Sequence, residues 1–356
     1  MSRMVICPKC LYSIDWSSPR ECWVWSEHEQ RYQPVSPYGL AADAWQERRR
    51  LGYVQCPNPV DDVPVHFLPA RYGDLDEPLI VGLVGATGVG KTSLLAAMVF
   101  EMLRGGLQAV DVDVSPLDLH AHQEFRHRYL EPFADQHALP QTEVGPSGYQ
   151  SCLLVTSPTG TRPVVLVDIA GGEFDDDRPA GAATRLLAGV DALVFVDAAE
   201  YRPSGGETAP RLDVNAAFTM AVAGVRSAER SRDVVASVVV TKADRIRFTH
   251  PVDRWYGQPG GADALDLASF ADETEDVYAY LQSRGVRSAT APFEAFHRCT
   301  MHFASATGHD AFDRTTTPAG RPQVRPKGVL RPLVAVFAMT GVLDTAEARQ
   351  VGKPVS

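Results

Sequence analysis

Residues 82 to 95 read GLVGATGVGKTSLL, and inside them Gly85-Ala86-Thr87-Gly88-Val89-Gly90-Lys91-Thr92 fits G-x-x-x-x-G-K-[ST]. Gly85, Gly88 and Gly90 let the backbone curl so that successive N–H groups point inward, and a helix opening at the end of the loop adds positive field. The chemistry this suits is phosphate binding, with Lys91 reaching the β/γ-phosphates and the Thr92 hydroxyl ligating Mg²⁺. A β-rich strand before the loop and a helix after it supply the context the motif needs.

Further along, VVLVDIAGGEF places Asp168 at a strand end with Gly171 three residues later. A carboxylate there holds a metal through water, and the Gly171 N–H can meet a γ-phosphate. In VVVTKAD, Asp244 can accept two hydrogen bonds from the amide-like edge of guanine, which adenine cannot supply. Lys242 would lie along the base and ribose, and Thr241 could tie this loop to the phosphate loop. FASATG adds Ser305 and Ala306, where a backbone N–H could meet the guanine O6.

The elements that must position these residues alternate from Pro78 onward. The sequence predicts strands at Leu79 to Val84, Ser151 to Thr156, Val164 to Asp168, Ala192 to Asp197, Val234 to Thr241 and His302 to Ser305. Helices are expected at Thr92 to Leu103, Ala180 to Ala188, Leu212 to Arg230, Asp272 to Ser283 and Val329 to Met339. This pattern predicts an α/β fold with a mostly parallel sheet and helices on both faces. SPTG, too short for a crossover helix, makes one strand antiparallel in a hairpin. Phe248 to Gly261 and Gly308 to Pro326 read as surface insertions, and the polar end from Asp344 as a flexible tail.

Taken in order, these motifs resemble the Ras-like small GTPases of the translation-factor-related class of P-loop NTPases, over roughly Pro78 to Leu343. The resemblance implies that Gly85 to Ser93 hold the phosphates of GTP or GDP and that Asp168 and Gly171 begin switch II. It also implies that Thr241, Lys242 and Asp244 read guanine while Ser305 and Ala306 support the base. Thr241 stands where family members commonly carry Asn. Gly172 replaces the water-positioning Gln, so hydrolysis is expected to be slow, or to use Glu173 or a residue from a partner. For the switch I residue that closes over Mg²⁺, Thr142 is the candidate and Ser147 the alternative. A GTP-bound scaffold without turnover and a P-loop ATPase are the rival readings.

The first seventy residues differ in composition, being rich in Trp, Tyr, Pro and Cys with few periodic apolar stretches. Cys7 and Cys10 in CPKC are spaced to turn both sulfurs onto one tetrahedral ion, Zn²⁺ being the ordinary occupant. Cys56 is the third ligand, and His66 or Cys22 the fourth. The expected organisation is therefore a zinc-ribbon-like module at 1–72, a GTPase domain at 78–343 and a tail at 344–356. A zinc-ribbon-like head before a Ras-like domain resembles a group of bacterial GTPases, some called double-GTPases, found in multi-gene systems suspected of roles in conflict or defence. That resemblance implies a switch acting through an effector or activating protein.

With 44 acidic against 34 basic residues the formal charge is −10, which disfavours a nucleic-acid partner. The run Glu47-Arg48-Arg49-Arg50 reads as the solvated face of a helix. No apolar leader follows Met1, and the longest apolar run, Val329 to Leu343, is broken by Arg331 and Pro332 and too short for a bilayer. A cytoplasmic protein is expected, its six cysteines reduced or metal-bound.

Overall fold

A computed structural model of the 356-residue chain describes residues 3–17, 20–36, 38, 39, 41–59, 65–135, 139, 149–169, 182–199, 215–256, 265–308 and 324–352. Its centre is a seven-stranded sheet in the order β13-β12-β11-β7-β10-β9-β8. The strands are β7 (Leu79–Val84), β8 (Asp113–Pro116), β9 (Tyr149–Ser157), β10 (Gly160–Asp168), β11 (Ala192–Ala198), β12 (Val235–Thr241) and β13 (Cys299–Phe303). All neighbours from β10 through β7, β11 and β12 to β13 run parallel, whereas β9 is antiparallel to both β10 and β8.

Central strands of such a sheet are covered on both faces and so must be apolar throughout. LIVGLV of β7 and VASVVVT of β12 are buried at every position. Alternate side chains serve two cores: Ile80, Val165, Leu193 and Phe195 belong to one, and Leu79, Val81, Leu83, Val164, Leu166 and Val194 to the other. Helices α2 (Lys91–Leu103) and α10 (Arg331–Met339) fill the second core. In α10 all nine residues are buried, and Pro332 sits in the first turn, where no N–H is needed. The first core takes α5 (Ala182–Gly189), α6 (Ala216–Ser227) and α9 (Arg287–Ala295).

Four helices complete this part of the chain: α3 (Leu119–Phe125), α4 (Glu131–Ala134), α7 (Val252–Tyr256) and α8 (Ser269–Ser283). A π turn over Arg126–Leu130 joins α3 to α4. The sequence reading lacks β8, α3, α4, α7 and α9. Strand β8 alternates exposed and half-buried residues at the sheet edge, and Pro292 lies inside α9, so both blur the usual signals. Strand β13 begins at Cys299 and ends at Phe303, three residues ahead of the predicted start.

The N-terminal segment is richer in structure than its composition suggests. It contains β1 (Met4–Ile6), β2 (Ser13–Asp15), β3 (Cys22–Ser26), β4 (Arg31–Val35), α1 (Ala42–Leu51), β5 (Tyr53–Gln55) and β6 (Phe67–Pro69). β1 and β2 form one hairpin, and the other four strands a sheet ordered β4-β3-β5-β6. Helix α1 carries Arg48 to Arg50 and buries none of its residues. The segment is fixed to the start of α3: the Tyr53 hydroxyl donates to Asp118 Oδ1 at 3.1 Å, and Trp25 stacks on His120 at 3.9 Å; within the segment the Tyr72 hydroxyl donates to the Ile6 carbonyl at 3.0 Å.

The end of the chain corrects the expectation of a flexible tail from Asp344. Ala348 and Val351 are buried, and the Arg298 guanidinium donates to the Met339 carbonyl at 2.9 Å and the Val351 carbonyl at 2.6 Å. The Cys299 N–H donates to the Gly352 carbonyl at 3.2 Å, so the chain stays against β13 to that point. No described helix is long and apolar enough to cross a membrane.

Candidate functional site

The chain leaves β7 at the point where the sheet order reverses, with β10 on one side and β11 on the other. A crevice outside the carboxyl ends of parallel strands at such a switch point is the usual ligand position of an open α/β sheet. The 85–92 loop lies there. Gly88 and Gly90 have φ of 82° and 99°, values that favour glycine, and a Cβ at Gly85 would collide with the Val196 carbonyl oxygen. Lys91 opens α2 and is 6% exposed; its ammonium donates to the Gly85 carbonyl at 2.8 Å and the Ala86 carbonyl at 3.0 Å. Burial pushes that ammonium below its usual pKa, and Asp168 works against the shift.

Two further strand ends meet this loop, and a third meets the residues that follow β12. From β10, Asp168 Oδ2 accepts the Thr92 hydroxyl at 2.7 Å. From β12, the Thr241 hydroxyl lies 2.5 Å from the Val89 carbonyl oxygen, and Lys242 donates to the Gly88 carbonyl at 2.9 Å from a left-handed backbone position, φ 57°. From β13, the Ser305 hydroxyl donates to Asp244 Oδ1. Thus Lys91, Thr92, Asp168, Thr241, Lys242, Asp244 and Ser305 are brought into one neighbourhood, with Ala306 following Ser305. Gly171, Gly172, Glu173, Thr142 and Ser147 lie outside the described residues. A lysine at a helix start beneath a glycine loop, with a paired hydroxyl and carboxylate beside it, could hold an anion and a hard cation together.

Sequence reasoning missed several residues here. The Asp197 carbonyl is 2.9 Å from the Thr241 hydroxyl, and its signal, an acid ending a buried strand, is the one that marks Asp168. Ser305 pairs with Lys327 through two backbone hydrogen bonds of 2.8 and 2.9 Å, for which the sequence holds no signal. Behind β13, Glu273 accepts from Arg331 Nε at 2.7 Å, touches His302 Nδ1 at 2.6 Å and accepts the Phe303 N–H at 3.1 Å. Arg331 interrupting an apolar run was the clue that a charge there needs a partner.

A second site lies in the N-terminal segment. Cys7 and Cys10 sit just after β1, Cys56 just after β5 and His66 just before β6, so two hairpins contribute two donors each. All four side chains are buried and their donor atoms lie within 4.8 Å of one another. Cys10 Sγ and Cys56 Sγ are 3.8 Å apart, and Cys7 Sγ and His66 Nε2 3.3 Å. A tetrahedral zinc with bonds of about 2.3 Å to sulfur has S···S edges of about 3.8 Å, so the donor set fits. Burial raises the Cys7 thiol, whereas hydrogen bonds from Cys56 and Cys7 favour the Cys10 thiolate. Of the two alternatives for the fourth donor, His66 is the one brought in. Cys22 lies instead under Gly52, with Sγ 4.0 Å from the Trp23 carbonyl oxygen, because its strand β3 packs by its aromatic residues.

No family model and no curated protein matches this chain.

Proposed function

We propose that the chain is a guanine-nucleotide switch that binds GTP with Mg²⁺, hydrolyses it slowly and acts through a partner protein, its N-terminal module stabilised by zinc. The observation that carries this reading is the joining of the Thr-Lys-x-Asp loop to the glycine-rich loop, through Thr241 to Val89 and Lys242 to Gly88. A base-reading loop is useful only if held at fixed distance from the phosphate loop, and those two bonds supply that constraint.

In this reading the inward N–H groups of 85–92 and Lys91 take the phosphate charge, while Thr92 and Asp168 are the residues that would hold Mg²⁺, already paired at 2.7 Å. Bound Mg²⁺ would neutralise charge developing between the β- and γ-phosphates. Asp244, 6% exposed and oriented by Ser305, is the acceptor for guanine. Gly171, outside the described residues, is the residue whose N–H would meet the γ-phosphate, and loss of that contact on hydrolysis would change the surface offered to a partner. A non-hydrolysing scaffold is favoured by one residue, Gly172 in place of Gln.

The test is nucleotide content and Mg²⁺-dependent phosphate release by the purified protein, with GTP and ATP in parallel and Lys91→Ala as control. GTP-selective turnover lost in the variant is expected. GTP binding without turnover would assign the scaffold role, and ATP preference would overturn the guanine reading.

A further inference from the structure

The metal-binding knuckle is built against the helix that follows the Asp168 strand. Ile6 and Leu11 flank Cys7 and Cys10, and the turn is closed by Leu11 N–H to the Cys7 carbonyl at 2.8 Å and Cys7 N–H to the Tyr12 carbonyl at 2.9 Å. Leu11 itself is held at φ 64°, a left-handed conformation that a leucine adopts at a cost. Its side chain rests on Gly189 at the end of α5: a methyl built on Gly189 would meet Leu11 Cβ at 3.5 Å and Ile6 Cγ2 at 3.8 Å.

One residue further, Val190 is buried over β7. A methyl built on Gly82 would meet Leu193 Cδ2 at 3.2 Å and Val190 Cγ1 and Ile169 Cδ1 at 3.5 Å, so all three side chains cover Gly82 of β7 within one core cluster. Ile169 is the residue after Asp168; it is buried, and its N–H donates to the Leu83 carbonyl at 3.1 Å. A path through the core therefore runs from the cysteine turn through Leu11, Gly189 and Val190 and across Gly82 to Ile169, the residue after the carboxylate paired with Thr92.

We propose that metal occupancy of the Cys7, Cys10, Cys56 and His66 centre sets how tightly the nucleotide site holds its ligand, with Leu11 on Gly189 as the transmitting contact; this rests on the guanine-nucleotide reading above. Four donors on two separate hairpins are held in register by an ion and are free to separate without it. With zinc bound, the strained turn keeps Leu11 pressed on the end of α5, and α5 keeps Ile169 and Asp168 in place. Without it the turn relaxes, the support under α5 is lost and Asp168 no longer stands in register with Thr92. The chain thus joins metal supply to nucleotide state, and by linkage the nucleotide in turn tightens the metal.

The experiment compares release of fluorescently labelled GDP and GTP, with Mg²⁺, from the full chain loaded with one Zn²⁺ and after chelation. Chelation is expected to speed release at least about fivefold in the wild type. Leu11→Gly removes the side chain and relieves the left-handed strain while leaving all four donors. It is expected to retain zinc yet release nucleotide as fast as the stripped wild type, and to respond less than about twofold to chelation. Equal release from loaded and stripped wild-type protein would overturn the proposal. Should chelation unfold the chain, the loaded Leu11→Gly protein decides alone: release matching the loaded wild type overturns the coupling. Failure of the loaded wild type to bind either guanine nucleotide would instead sink the nucleotide reading, and the coupling with it.

Discussion

The Thr241 hydroxyl is 2.5 Å from the Val89 carbonyl oxygen and 2.9 Å from that of Asp197, so one side chain at the end of β12 ties the glycine-rich loop to the neighbouring strand end. Thr241→Val keeps the shape and removes the only proton these two carbonyls share. We predict a loss of about 1–3 kcal/mol in unfolding free energy and, on the guanine-nucleotide reading, weaker GTP binding. Thr241→Asn, which restores a donor, should recover most of both. Urea denaturation and nucleotide titration on the two variants check this, and a Val variant as tight as the wild type would count against the tie.

That bond was legible in the sequence as a possibility because Thr241 ends a strand of four buried valines, an alanine and a serine and precedes Lys-Ala-Asp. The strands that carry the site were legible for the same reason: parallel strands covered on both faces must be continuously apolar. The short N-terminal strands were not, since their residues are gathered by aromatic contacts and by a buried cluster of three cysteines and a histidine that could hold a metal, instead of by periodic apolar burial. His66 could not be separated from Cys22 by spacing; the β5–β6 pairing decides it by placing the Cys56 N–H on the His66 carbonyl at 2.9 Å. The order of the chain's end was hidden because it depends on Arg298, whose side chain satisfies carbonyls some fifty residues ahead.

Asp244 gives the sharpest test of base choice. Asp244→Asn retains an oxygen for the Ser305 hydroxyl but replaces a carboxylate acceptor with an amide donor. On the guanine reading, GTP affinity should fall by about 100-fold or more, and xanthine nucleotide, which offers a carbonyl there, should bind in its place. Unchanged selectivity in a competition assay would remove Asp244 from the base site.

Asp191 links stability to pH in the direction opposite to most carboxylates. Burial raises its pKa from 3.8 to about 6, although the Ile80 N–H donates to it at 2.8 Å and opposes the shift. Its folded value is above its unfolded value, so its contribution is complete below about pH 4 and is lost as pH rises through about 6. The expected loss is about 3 kcal/mol, from roughly two pKa units. Asp191→Asn keeps an acceptor for Ile80 and should be more stable than the wild type at pH 8 and no more stable at pH 4. Denaturation midpoints at those two values measure it; parallel pH curves for the two proteins would show that Asp191 is not the group.

The buried Glu273, His302 and Arg331 cluster acts with the other sign. Burial opposes the Glu273 charge, but the neighbouring His302 and Arg331 hold its pKa below 4.5, and burial keeps His302 below 6.5 and neutral. Both folded values lie under the unfolded ones, so this contribution is complete above about pH 6.5, declines as His302 is forced to charge, and falls again as pH drops through the lowered Glu273 value. Arg331 donates to Glu273 at 2.7 Å and to the Ser269 hydroxyl at 3.0 Å, so at neutral pH, where His302 is uncharged, Arg331→Met leaves a buried carboxylate without its permanent counter-charge. The predicted cost is about 3–5 kcal/mol. Adding Glu273→Gln removes the stranded charge while keeping an acceptor for the Phe303 N–H, and the double variant should regain part of that loss. The cluster supports the end of β13 two residues before Ser305, so on the guanine-nucleotide reading loosening it should also weaken nucleotide binding. Denaturation of the single and double variants at neutral pH settles the point: a double variant no more stable than Arg331→Met alone would show that packing against Trp255 and Phe270, not charge pairing, is what Arg331 supplies.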